Sequence, residues 1–565
     1  MPQVLTADRK ELIKKHRRTY ESLRDEASTW RPHWQDIAQY MLPRKGRFLL
    51  GQTTTSEVNR GDKKHQKIIN GAALDAIRII SAGLQGGLTS PARPWFQLAT
   101  PDKDMMEYAP VRYWLSDVQR RLLNIYSRSN FYGSVHGQYK ELSTFSTAAM
   151  MINPDFKSVI NCRPFTIGEY VLALDENYRV AMVYRLFAMK ARQMVARWGK
   201  DNVSRGVQTA AKENNGEHYY DVLHCIVPND PNTGINEAFP FYGVYFEWAK
   251  DGAENNGVLE INRYTEQPFV APRWDVTGVD TYGGDCPGMD ALGDCKMLQK
   301  MEEKKLKGLD KMIDPAMNAP TSMKKQGGSL ISGDINYIDI NQGQQSFAPA
   351  HEVRLDFQNM AFEIERVEQR IRRAFFNDLF LTILTADKRM TATEVAERHE
   401  EKLLMLGPVL ERLQSEFLDV IIDRTFSIAN SFDLLPPPPP ELQGVELKVE
   451  YISLLAQAQK MVALGAIERT AGFVGGLATT GFPEVIHKFD ASQAVDEYAE
   501  SVGVPPRIIR SDEKANERAQ QAAQAQQRAA ALEQGQQAAQ TAKTLSETER
   551  GKDSALDAAL EAAGA

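Results

Sequence analysis

YGGDCPGMDALGDCKMLQKMEEKKLKGLDKMIDPAMNAP, residues 282–320, is the stretch whose reading decides the fold. A Gly-rich turn and a proline open it, and the long charged run that follows predicts a helix over 288–313. Asp314-Pro315 ends that helix, and Asn318-Ala319-Pro320 prevents re-entry, because proline lacks the N–H a helix uses and restricts the residue before it. Glycine pairs and the short pieces SLISG and NYIDI then predict a small β module over 321–350. A second helix is expected over 355–376, and NDLFLTILTADKRM (377–390) breaks the pattern. Thr391-Ala392-Thr393-Glu394 starts a third helix. Its apolar positions Leu403, Leu406, Leu410, Leu413, Phe417 and Val420 are spaced for a packed seam, with a kink expected at Gly407-Pro408. No catalytic motif interrupts 282–413. Two paired helices carrying a small module suggest a part of a machine rather than an enzyme.

The first helix carries Lys296, Lys300, Lys304, Lys307 and Lys311. At about 100° per residue they fall within a sector of roughly 80°. A solvated face with local salt bridges is the plainer reading, since Asp290, Asp294, Glu302, Glu303, Asp310 and Asp314 share the helix. The sharper reading is a cationic stripe facing phosphate or an acidic neighbouring subunit. The second helix offers Glu363, Glu365 and Glu368 for that, beside Arg366, Arg370 and Arg373.

Outward from the centre, residues 8–42 read as amphipathic helix, 44–66 as a loop, and 67–88 as a buried helix running into Pro91 and Pro94. Residues 109–152 read as helical. From 153 to 280 short alternating segments such as RVAMVYRLF and YYDVLHCIV predict a β-rich region with one helix near 188–199. Downstream, Pro436–Pro440 reads as a stiff spacer and unit boundary. Residues 447–505 read as a small helical bundle, and the Ala/Gln-rich 511–545 as an exposed helix that persists only when neighbours pack around it. The fold class is α+β, mainly helical.

At 565 residues the chain is too long for one core. Its net charge of -7 argues against an ordinary DNA-gripping module, which would carry a basic surplus. Cys162, Cys225, Cys286 and Cys295 form no CxxC pair, so no zinc site and a reducing compartment are expected. The N-terminus turns charged at once, with no apolar core of a secretory signal, and no apolar run has the length of a membrane span. Gly283, Gly284 and Gly288 match no phosphate-binding pattern and read as a structural turn. His399-Glu400-Glu401 is not HExxH, and no GxSxG is present. Trp30, Trp34, Trp95-Phe96 and Trp274 read as core rather than as stacking platforms for bases. No catalytic residue, metal site or cofactor is expected.

Four segments carry a family resemblance: LQGGLTSPARPWF (84–96); PFVAPRW (268–274) followed by YGGDCPGMDAL (282–292); DPAMNAP (314–320); and TATEV (391–395). In order and spacing, from about residue 8 to 510, they resemble the head-to-tail connecting (portal) proteins of short-tailed, podovirus-like phages. Many such proteins read YGRGP or YGRSP where this chain has Asp285 and Cys286. The resemblance implies a homo-oligomeric ring, typically a dodecamer, at one capsid vertex of a virion assembled in the host cytoplasm. It also implies double-stranded DNA passing through the ring without sequence readout, with no membrane involved. The implied partners are the terminase large subunit, tail adaptor proteins, and capsid, scaffold and internal core proteins. By the same resemblance, 1–287 and 392–435 would be wing, 288–313 and 351–376 stem helices, and 314–350 the clip, with Lys324, Lys325, Asp334, Asn336 and Tyr337 facing terminase and adaptor. Residues 377–391 would be the tunnel loop, with Asn377, Thr385, Asp387, Lys388 and Arg389 at the channel. Crown (436–510), barrel helix (511–545) and a flexible tail (546–565) would complete the subunit. A tail adaptor or internal core protein without a channel is the alternative reading.

Overall fold

The computed structural model describes residues 9–49, 66–102, 108–213, 216–230, 238–248, 258–313, 356–385, 405–442, 447–453, 470–479 and 488–502, with single positions and two short strands elsewhere. They fall in two compact units, residues 1–462 and 463–565. In the second, 470–479 and Ala491–Val502 are helical.

The first unit begins with α1 (Arg9–Glu26) and α2 (Arg31–Tyr40). α3 (Ala72–Leu88) is buried on most of its surface, as its small residues predict. After β1 (Phe96–Ala99) come α4 (Ala109–Arg128) and α5 (Phe131–Phe145). Next are β2 (Ala149–Asp155), β3 (Val159–Phe165), β4 (Tyr170–Leu174) and β5 (Val180–Lys190). Two helices, α6 (Ala191–Trp198) and α7 (Arg205–Lys212), precede β6 (Tyr219–Pro228), β7 (Phe241–Glu247), β8 (Val258–Tyr264) and β9 (Phe269–Val270). The central segment gives α8 (Leu292–Ile313), β10 (Met317–Asn318), β11 (Ala348–Pro349), α9 (Phe357–Ala374) and α10 (Asn377–Thr385). A helical run over 405–413, a π turn (Gln414–Leu418), α11 (Asp419–Ser431) and β12 (Lys448–Tyr451) complete the unit. The mixture of helices and sheets agrees with an α+β fold.

Strands β4 to β8 form an antiparallel meander in sequence order, and β3-β2-β9 form a second sheet. One face of the meander meets α1, where His16 Nδ1 lies 3.0 Å from the Tyr184 hydroxyl and Nε2 lies 3.3 Å from that of Tyr242. Burial lowers the His16 pKa to about 4, so the ring is neutral there and cannot add an unpaired charge to the core. The other face carries α6 and α7 around Phe187, Met194, Trp198, Val207 and Tyr245. Trp34, Trp95, Phe96 and Trp274 are all buried. Trp95 stacks on Phe131 with ring centres 6.2 Å apart. These aromatic side chains are core, as expected from their Pro- and Leu-rich settings.

The fold corrects several expectations. Residues 149–152 are strand, not the end of a helix, because Ser146 turns left-handed at φ 62° and closes α5. The β region contains two helices rather than one: Ser204 caps α7 by accepting from the Val207 N–H. Residues 448–451 are strand rather than helical bundle, in register with β1 from Phe96↔Tyr451 to Ala99↔Lys448. The Pro436–Pro440 run is therefore no boundary between the two units, and its Pro436 carbonyl accepts from Trp114 Nε1 at 2.9 Å on α4. Residues 377–385 are helix rather than loop. The chain is helical at Gly407 and Pro408, and the departure from α geometry comes later, in the π turn. Residues 511–545 lie outside the described residues apart from single positions.

Candidate functional site

α8 and α9 form an antiparallel pair. Asp294, in the first turn of α8, accepts from Arg370 near the end of α9 at 2.8 Å. Beyond the opposite ends, Met317 pairs with Pro349 and Asn318 with Ala348. Cys295 and Leu298 of α8 and Ile364, Val367 and Ile371 of α9 are buried. Asp356 starts α9 by accepting from the Gln358 and Asn359 N–H groups.

The base of this pair is clamped to the N-terminus of α3 by residues that sequence reasoning missed. Gln299, 5% exposed, accepts from the Ile69 and Asn70 N–H groups at 2.7 and 2.9 Å. Its Nε2 donates to the Asn70 carbonyl at 2.9 Å. Asn70 Nδ2 donates to Glu302 Oε1 on α8 and to Glu368 Oε1 on α9, at 3.1 and 2.8 Å. Asn70 Oδ1 accepts from the Ala72 N–H that opens α3. One asparagine thus ties three helices, and charge-assisted bonds of this kind are the stronger class. The only sequence signal was Asn70-Gly71 ahead of an apolar helix.

The lysine stripe divides. Lys296 Nζ lies 2.6 Å from Asp36 on α2, so it serves a contact within the chain. Lys307 pairs with Glu303 one turn away at 2.5 Å. Lys300, Lys304 and Lys311 are exposed and have no ion pair among the described residues. On α9, Arg366 pairs with Glu363 and Arg370 with Asp294, while Arg373 is exposed. The apolar seam of α8 opens toward its far end: Leu298 is buried, but Leu306, Leu309 and Ile313 are 48%, 39% and 75% exposed. Phe362 on α9 is 63% exposed.

Asn377 was expected at a channel surface, and in the single chain it is buried. It opens α10 at 2% exposure, with neither side-chain amide atom partnered among the described residues. Phe376 before it holds a left-handed φ of 51°, which lets α10 turn away from α9 and fold back on α3. There a Cβ added to Gly83 would lie 2.3 Å from the Phe380 ring. Thr385 is the last residue of α10. Asp387, Lys388 and Arg389, and Lys324, Lys325, Asp334, Asn336 and Tyr337, which were expected in a clip, lie outside the described residues.

At the neck before α8, Gly283 and Gly288 are needed for close approach. A Cβ on either would sit 2.3 Å from the Ser146 carbonyl oxygen or 2.5 Å from that of Thr144. These glycines belong to a packed turn rather than a phosphate cradle. Cys286 is buried, which pushes its thiol up to about 12. Asp290 is also pushed up, first by burial and then by the Asp285 charge. Arg273, in the PFVAPRW segment, joins neck, meander and π turn. Its side chain donates to both oxygens of Glu416 (2.8 and 3.3 Å) and to the Asp280 and Tyr178 carbonyls (3.1 Å each), and its N–H also reaches Glu416. The π turn places Glu416 for that contact, in line with the tendency of such turns to occur where a side chain must be re-aimed.

A family model described as bacteriophage head to tail connecting protein matches residues 13–509. The chain belongs to this family. Two relatives agree. A protein named portal protein from Salmonella phage epsilon15 is 43% identical over 512 residues, covering 89% of this chain and 90% of that one. A probable portal protein of Bordetella phage BPP-1 is 40% identical over 491 residues, covering 86% and 87%. The match runs from within α1 to beyond the helix at Ala491–Val502 of this connecting protein. Membership places it among structural virion proteins rather than enzymes. No described helix is long and apolar enough to cross a membrane.

Proposed function

We propose that the chain is the subunit of a closed ring, a dodecamer, at one capsid vertex, through which double-stranded DNA enters during packaging and leaves during ejection. The observation that carries this reading is the likeness, over nearly nine-tenths of the chain, to a protein named for the portal role. Assembly in the host cytoplasm goes with it. In this reading α8 and α9 are the stem. Residues 314–350, held at their base by β10 and β11, are the clip that meets the terminase large subunit and later the tail adaptors. Capsid, scaffold and internal core proteins meet the wing. The wing then takes in β12, and the crown begins only after it.

Surfaces that a lone copy leaves open support the ring. Leu306, Leu309, Ile313 and Phe362 would be covered by an adjacent copy, as exposed apolar patches on oligomer subunits commonly are. Lys300, Lys304 and Lys311 would face the exposed Glu363 and Glu365 of the neighbour rather than DNA. An acidic chain suits a channel in which DNA slides, since each tight phosphate contact releases counterions and strengthens binding.

The DNA-facing residues in this reading are Lys388 and Arg389. Replacing both with alanine is expected to lower the DNA retained per head, measured by quantifying encapsidated genomes, while rings still form. Unchanged packaged DNA would remove them from the channel.

A further inference from the structure

The meander carries a cluster that the ring reading does not use. Arg185, His224, Tyr245 and Glu260 are successive cross-strand partners on β5, β6, β7 and β8, so they share one face. His224 stacks on Tyr245 with ring centres 3.8 Å apart and planes 5° from parallel. Three guanidinium groups gather around this row. Arg185 lies over Phe187 and Phe165, at 4.5 and 4.7 Å. Arg163, from β3, lies over Phe187 at 5.6 Å. Arg197, from α6, lies over Tyr245 at 4.5 Å.

Two of these cations are balanced. Arg185 donates to Glu169 at 2.7 Å and Arg197 to Glu260 at 2.9 Å. Arg163 is half-buried and has no carboxylate partner among the described residues. Three guanidiniums against two carboxylates leave one positive charge beside aromatic walls, where water screens it poorly. Burial, then Arg185 and Arg197, push the Arg163 pKa down, against the opposing pull of Tyr245 and Glu169. His224 is 2% exposed, and its Nε2 has no hydrogen-bond partner among the described residues. Burial, followed by Arg185, Arg163 and Arg197, holds its pKa well below 6.5, so the ring is neutral and can still donate one N–H. A buried polar nitrogen left unpaired and a surplus cation beside it are both costly alone, and the tautomer with the proton on Nε2 would make that nitrogen a donor. One oxyanion would satisfy both.

We propose that this face of the meander binds a small free oxyanion of the phosphate or sulfate class, held by the Arg163 guanidinium and His224 Nε2–H. The depth of the cluster selects the occupant. With Arg185 at 8% and His224 at 2% exposure, a lone anion reaches the donors where a phosphodiester within a duplex does not.

The test is calorimetric titration of the purified full-length protein with inorganic phosphate, with thermal melting in phosphate against chloride at matched pH and ionic strength. Saturable binding and a phosphate-specific rise in melting temperature are expected, since a ligand that binds only the folded state stabilises it. Arg163→Gln and His224→Phe should each weaken binding about tenfold or more. His224→Phe keeps a ring against Tyr245 and removes an unpartnered nitrogen, so its melting in chloride should be unchanged or higher. Equal melting of the wild type in the two salts overturns the site, and so does undiminished phosphate binding in both variants. Displacement of phosphate by a short DNA duplex would overturn the free anion as occupant. The binding needs no ring, so its failure leaves the portal reading intact.

Discussion

Arg273→Met is expected to destabilise the first unit by about 3–5 kcal/mol, the range for breaking a buried ion pair from one side. The Arg273 side chain is 5% exposed, and its loss strands Glu416 together with the carbonyls of Asp280 and Tyr178. Arg273→Lys keeps the charge but loses the planar fork that grips both Glu416 oxygens, so it should fall between wild type and methionine. The readouts are the thermal midpoint at fixed protein concentration, since assembly also stabilises, and hydrogen exchange in the π turn and the neck. A midpoint for Arg273→Met within about a degree of wild type, with unchanged exchange at both places, would show that this joint holds nothing together.

Lys45→Met carries a comparable loss with a pH signature. Glu141 has a side chain with no solvent exposure, and its Oε1 receives Lys45 Nζ at 2.6 Å. Burial pushes the Glu141 carboxyl up, against the opposing pull of Lys45. Removing Lys45 raises it further and leaves a buried carboxylate unpaired at neutral pH. A carboxyl whose folded pKa lies above its unfolded value, about 4.3, contributes stability below that value and loses it as pH rises through the folded pKa. The variant's deficit against wild type should therefore be small near pH 5 and grow to about 3–5 kcal/mol by pH 8. Adding Glu141→Gln should remove most of the pH dependence, because the amide cannot ionise. A deficit that is the same at both pH values would contradict the assignment of Glu141 as the responsible group.

Helices α8 and α9 were legible because their signals are local. Charge-rich helical runs are punctuated by Pro287, Asp314-Pro315 and Asp356, and the described helices end at Ile313 and begin at Phe357. Glycine-rich spacing at the neck and the Pro-flanked tryptophans also read correctly as structure. What sequence could not show is long-range. The Asn70–Gln299 clamp and the Lys296–Asp36 pair join residues more than 200 positions apart, and no periodicity encodes such a meeting. Ser146 and Phe376 adopt left-handed backbone without being glycine, so both turns were invisible. Asn377-Asp378-Leu379-Phe380 looked like a break because its apolar residues suit no surface helix. They form one because α3 presents Gly83 to Phe380. β12 is four residues of weak alternation, and only its pairing with β1 makes it a strand. In sequence α8 is marked by its charges, and the opening of its apolar seam at Leu306, Leu309 and Ile313 shows only once α9 is in place.

Electron microscopy of the purified protein, with its particle mass measured in parallel, tests the ring most directly. The account predicts closed rings with a central hole and a mass of about twelve 63.4 kDa subunits. Particles that remain at 63.4 kDa across all concentrations, with no annular views, would contradict it.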